Sequence, residues 1–127
     1  MNVLYESVIT PEQRHDLGEY YTPDWLAAKM VERVVPEPLI TRVLDPACGS
    51  GTFLFHCVRR YLDAADTAGT APADALAGVT AQVVGVDLHP VAVTLARVTY
   101  LLAIGRAWAL PTSRPPWPPL RGARPGA

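Results

Sequence analysis

The sequence predicts an α/β fold in which parallel strands are joined by crossover helices. Three observations carry that reading. Two short apolar runs, Val43-Leu44 and Val83-Val84-Gly85-Val86, each lead to an acid, Asp45 or Asp87, and lie far enough apart for a crossover between them. A tight glycine turn follows the first run, in Asp45-Pro46-Ala47-Cys48-Gly49-Ser50-Gly51-Thr52-Phe53. Helical spacing then follows both the turn and the second run, so the expected order is helix, strand, helix, strand, helix.

Residues 1–21 show no strong periodicity and read as an irregular arm. Thr22-Pro23-Asp24-Trp25 reads as a helix start: Thr22 can cap free N–H groups, Pro23 suits the first helical position, and Asp24 favours the dipole. Leu26, Met30, Val31 and Val34 recur at helical spacing, and they and Trp25 are expected in the core. The helix is expected to end before Pro36. The first strand spans 42–45, and the glycine turn leads to a helix reaching about Asp66. Residues 67–78, rich in Ala, Gly and Thr, read as a linker before the second strand at 82–86. His89-Pro90 restarts a helix to about Ile104, apolar on nearly all sides and expected to be buried. After Gly105 the pattern ends. Residues 111–127 hold six prolines and two glycines, so 106–127 is expected to be a disordered tail. The expected organisation is an arm (1–21), a partial domain (22–105) and that tail. With only two strands, the sheet is expected to be marginal unless a partner covers its open surfaces.

Composition bounds the function. The 127 residues suit one modest domain, half of them apolar, with a net charge of −1. Residues 1–110 carry eight Lys/Arg against twelve Asp/Glu, so the folded part is no basic platform for gripping nucleic acid by charge. Cys48 and Cys57 form no CxxC pair and no His/Cys cluster, which argues against zinc, and reduced thiols are expected. The polar, acidic start is unlike a signal peptide, and the longest apolar stretch contains Arg97. A cytoplasmic protein is expected, without membrane association.

A strand, a glycine turn and a helix start form a site for a small polar ligand, because glycine lets the backbone approach and the helix presents free N–H groups. Asp87, at the end of the neighbouring strand, can accept hydrogen bonds from ribose hydroxyls. Tyr20, Tyr21 and Thr22 can pack against the same pocket. A dinucleotide fits poorly, since the third glycine of G-x-G-x-x-G is replaced by Leu54. No Gly-Lys-Ser/Thr follows to hold a phosphate, and Asp45 would repel a pyrophosphate. Asp45 suits a ligand with an ammonium group. S-adenosylmethionine has an ammonium, a ribose and no phosphate.

Three segments resemble, in order, motifs of the DNA adenine-N6 methyltransferases of restriction-modification type. Leu17-Gly18-Glu19-Tyr20-Tyr21-Thr22-Pro23 resembles their amino-terminal cofactor motif, Asp45 to Phe53 their glycine motif, and Gly85-Val86-Asp87-Leu88-His89-Pro90 their acidic-strand motif. The resemblance covers roughly 17–104 and implies the first half of a Rossmann-like methyltransferase domain, truncated after the second strand–helix unit. It implies S-adenosylmethionine as cofactor and DNA as partner. Asp45, Ala47, Cys48, Gly49 and Gly51 would lie along the methionine part of the cofactor. Asp87 would hold the ribose, Leu88 would pack on the adenine, and Tyr21 and Thr22 would close the pocket. The family's catalytic Asn/Asp/Ser-Pro-Pro-Tyr/Phe/Trp motif, which holds a flipped adenine, has no counterpart here. Arg114-Pro115-Pro116-Trp117 comes nearest, but arginine has no acceptor for the adenine amino group. No catalytic residue is therefore assigned. The chain alone is expected to be inactive, either as a truncated or split product or as a cofactor-binding remnant completed by a second polypeptide. A methyltransferase of another substrate class is the remaining alternative. His56 and His89 read as structural, with no acid paired to either.

Overall fold

A computed structural model of the chain describes residues 22–109. It contains α1 (Asp24–Val34), β1 (Val43–Asp45), α2 (Thr52–Thr67), α3 (Pro72–Gln82), β2 (Val83–Gly85) and α4 (Pro90–Ala109). The two strands pair in parallel, with Val43 opposite Val83, Leu44 opposite Val84 and Asp45 opposite Gly85. Main-chain bonding continues past the strand ends: Val86 N donates to Asp45 O (2.8 Å) and Cys48 N to Val86 O (3.0 Å). The parallel pair and its crossover helices agree with the α/β expectation. The described residues contain no third strand.

α2 is the centre of the core. It buries Leu54, Cys57, Val58, Tyr61, Leu62 and Ala65, a stripe at helical spacing. α1, α3 and α4 all pack around it. α4 meets it through small side chains, Ala96, Ala103 and Ala107, which let the two helix axes approach closely. Alternation along the strands turns Val83 inward to this layer, with Val43 packed against it, while Leu44 and Val84 lie exposed on the opposite face. Parallel sheets are ordinarily covered on both faces, and among the described residues the helices cover one.

Several sequence expectations are corrected. The linker expected over 67–78 is largely helix, because Pro72 starts α3 and its alanines are strong helix formers that bury Ala75 and Val79. Gly78 is needed there, since a Cβ would collide with the Tyr61 hydroxyl. Tyr100, whose hydroxyl lies 3.0 Å from both Val79 O and Val83 O, pins the α3–β2 junction to α4. α4 continues through Gly105 to Ala109, so the boundary expected at 105/106 falls inside a helix. α4 is not buried all round either: Val98, Leu101 and Leu102 are exposed because only its Ala-rich face meets α2.

At α1 the cap is shifted by one residue. Pro23 occupies the cap position and its carbonyl accepts from Leu26 N and Ala27 N, while no side chain caps the helix. Trp25 (65 % exposed), Met30 and Val34 are outside the core; among the described residues α1 packs chiefly on α2 and buries Ala27 and Val31. The arm at 1–21 and residues 110–127 of the tail lie outside the described residues. Among the described residues, no helix is long and apolar enough to cross a membrane.

Candidate functional site at the glycine turn

The turn begins where β1 ends. Gly49 (φ +54°) and Gly51 (φ +90°) both adopt left-handed backbone, which side chains other than glycine rarely tolerate. Their surroundings differ. A Cβ on Gly49 would meet open space, whereas one on Gly51 would lie 3.2 Å from Ala96 Cα and 3.3 Å from Thr99 Cβ. Gly51 therefore lets the turn press against α4, and Gly49 leaves the backbone open. Gly51 N donates to Cys48 O (2.9 Å), closing the turn, and Gly51 O accepts from Phe55 N (2.8 Å) as α2 begins.

Asp87 reaches this turn. Its Oδ2 accepts from Gly49 N (2.9 Å) and its Oδ1 from His89 N (2.8 Å). His89 Nδ1 accepts in turn from Val91 N (3.1 Å), so the acid joins the turn to the start of α4. Each Asp87 oxygen holds one backbone N–H and keeps a further lone pair for a ligand hydroxyl. β2 itself ends at Gly85, two residues before the acid.

Asp45 stands across the turn in a different state. Its Oδ1 accepts from Ala47 N (3.2 Å), while its Oδ2 is buried and has no partner. Burial pushes its carboxyl above the usual value, and the Asp87 charge pushes the same way, against the pull of the Ala47 N–H. The thiols nearby respond likewise. Cys48 is pushed up to about 11, by burial first and then by Asp87 and Asp45, and Cys57 to about 11 by burial and Asp45. Both are neutral thiols near neutral pH and so poor nucleophiles. Cys48 serves the turn through its backbone. A buried carboxylate oxygen without a donor, beside a second carboxylate, fits a cationic group on the ligand and disfavours an anionic one.

The remaining site residues are placed as follows. Leu88 is 99 % exposed beside Asp87, an apolar side chain with free faces. Thr22 is half-buried at the entrance to α1, and Tyr21 lies outside the described residues. Among the described residues, no His/Cys/Asp/Glu cluster could hold a metal ion. A shallow groove of about 660 Å³ between α1 and α2, lined in part by Ala28, Glu32, Arg60 and Asp63, includes none of the turn residues.

Three features escaped the sequence reading. Gly85 is required because a Cβ there would collide with Leu54 and lie 3.1 Å from Cys48 Cβ, so it lets the turn fold back onto β2. Its place two residues before the acid is the one sequence signal. Thr99 is buried against Gly51, and its hydroxyl has no partner. His56, expected to lack an acid, donates through Nε2 to Asp24 Oδ1 at 2.9 Å.

A glycine turn at the carboxyl end of a parallel strand, with an acid delivered from the neighbouring strand, defines an α/β unit; in open α/β sheets that is the end where ligands bind. The family model for N-6 DNA methylases matches residues 2–104, and the chain belongs to that family. No curated protein and no solved structure matches it.

Proposed function

We propose that this chain is the S-adenosylmethionine-binding portion of a site-specific DNA adenine-N6 methyltransferase. The convergence of Asp45 and Asp87 on the open glycine turn carries this reading. Asp87 would take the ribose hydroxyls on its remaining lone pairs, and the unpartnered oxygen of Asp45 would take the ammonium. Backbone at Ala47, Cys48, Gly49 and Gly51 would line the methionine chain, Leu88 would cover one face of the adenine, and Tyr21 and Thr22 would close the pocket. When bound, the cofactor supplies the methyl group. The protein's residues orient it.

The 127 residues contain no Asn/Asp/Ser-Pro-Pro-aromatic motif to accept hydrogen bonds from a flipped adenine. The chain alone is therefore proposed not to methylate DNA, and a second polypeptide to supply the catalytic and target-recognition parts in the cytoplasm. The sheet face at Leu44 and Val84, exposed among the described residues, favours a second reading, a non-catalytic subunit that binds cofactor and assembles with such a partner.

Calorimetric titration with S-adenosylmethionine tests the first reading. Binding is expected, with Asp87→Ala weakening it by about tenfold or more, as loss of charge-assisted hydrogen bonds predicts. A folded protein that takes up no cofactor overturns it. Methyl transfer to duplex DNA by this chain alone would overturn the proposed division of labour.

A further inference from the structure

Two carboxylates flank a single residue of the glycine turn. Asp45 Oδ1 accepts from Ala47 N at 3.2 Å and Asp87 Oδ2 from Gly49 N at 2.9 Å, so the acids grip the turn on either side of Cys48. Parallel pairing brings them there, with Asp45 opposite Gly85, two residues before Asp87. Among the described residues, no Lys, Arg or His side chain pairs with either acid. Two negative charges therefore stand uncompensated by a cation at a half-buried site, where water screens them less than on an open surface.

The Cys48 side chain between them registers that field. Burial, then Asp87, then Asp45 push its thiol up to about 11. The charge of each acid thus reaches across the turn. Beside Cys48 the backbone is open, since a Cβ on Gly49 would meet nothing within 4 Å. The field that opposes a thiolate there favours a cation by the same physics.

In the proposed cofactor the sulfur stands, in covalent order, between the ribose and the carbon chain that carries the ammonium. With the ribose on Asp87 and the ammonium on Asp45, the sulfur falls between the groups that the two acids hold. In S-adenosylmethionine that sulfur is a cationic sulfonium. In S-adenosylhomocysteine, the same skeleton without the methyl group, it is a neutral thioether. We infer that Asp45 and Asp87 also determine selectivity, making the turn hold the sulfonium form and release the neutral thioether. The inference rests on the proposed cofactor reading and goes beyond it, because a site that read only ribose and ammonium would hold both forms alike. Spent cofactor would then compete weakly for the site.

The test is calorimetric titration of the full chain with three probes: S-adenosylmethionine, S-adenosylhomocysteine and sinefungin, in which an amine-bearing carbon replaces the sulfonium. Both cationic ligands are expected to bind about tenfold more tightly than the neutral one, as one added charge near two partly screened carboxylates predicts. Asp45→Asn keeps the shape and removes one charge. It is expected to shrink the preference to about threefold or less, and raised salt to shrink it in wild type. S-adenosylhomocysteine binding as tightly as S-adenosylmethionine overturns the inference and leaves the cofactor reading standing. A preference that Asp45→Asn leaves unchanged also overturns it, since the methyl group rather than charge would then be read. Should that variant fail to fold, the wild-type titrations decide, and sinefungin binding no more tightly than S-adenosylhomocysteine overturns the inference. A folded wild-type protein that binds none of the three overturns the cofactor reading, and the inference falls with it.

Discussion

Asp45 and Asp87 lie just beyond or at the carboxyl ends of two adjacent parallel strands, within reach of one glycine turn, yet they are built for opposite purposes. Asp87 holds a backbone N–H on each oxygen and ties the turn to α4. Asp45 holds one N–H on one oxygen and leaves the other buried and bare. The first acid stabilises the ligand-free protein. The second is a local cost to it, one that the ammonium of the proposed cofactor would offset. Sequence position alone would make them equivalent; the donors around them separate them.

Substitutions should sharpen that contrast, beginning with the largest effect. Asp87→Ala strands two backbone N–H groups and is expected to lower ligand-free stability by about 3 kcal/mol in urea unfolding. A loss below about 1 kcal/mol would break the comparison, since Asp87 would then hold nothing together. Gly51→Ala comes next, at roughly 2 kcal/mol, because left-handed backbone and the Ala96 main chain both resist a Cβ. Gly49→Ala meets the backbone cost without a clash and should lose only about 1 kcal/mol. Equal losses at the two glycines would show that close packing against α4 contributes nothing.

Asp45→Asn should behave in the opposite sense to Asp87→Ala. Ligand-free stability is expected to hold or rise by up to about 1 kcal/mol, while S-adenosylmethionine affinity falls. A clear loss of ligand-free stability would place Asp45 with Asp87 as a structural acid.

The smallest effect is in the pH dependence. The folded protein raises the Asp45 carboxyl above its unfolded value, so it binds the proton more tightly than the unfolded chain does. Stability from this group is therefore greatest below the unfolded value near 3.9 and declines as pH rises through the raised folded value. Urea midpoints of wild type and Asp45→Asn should diverge in favour of the variant as pH increases across that window, then run parallel. Parallel midpoints throughout would remove the argument that Asp45 is held at a cost.

The glycine turn, the parallel strands and the two acids were legible because each is encoded within a few consecutive residues. α3 was missed because alanine serves linkers and helices alike, and only contact with Tyr61 and Tyr100 distinguishes them here. The exposure of Trp25 and of Leu101 was misjudged for a related reason: periodicity identifies an apolar face but not whether a neighbour exists to cover it. The His56–Asp24 bond spans 32 positions and the Gly85–Cys48 contact 37, and no local pattern announces either. At the site, the residues that would touch a ligand could be read in order along the chain. Those that set their geometry could not.

The two cysteines supply a built-in clock. With both thiols buried and pushed up to about 11, the reactive thiolate at pH 8 amounts to about one part in a thousand of each population. Alkylating reagents would therefore meet a nearly silent protein until the turn or α2 opens. Cys48 would time the release of the glycine turn and Cys57 the separation of α2 from its neighbours, two opening events recorded by mass in one unmodified sequence.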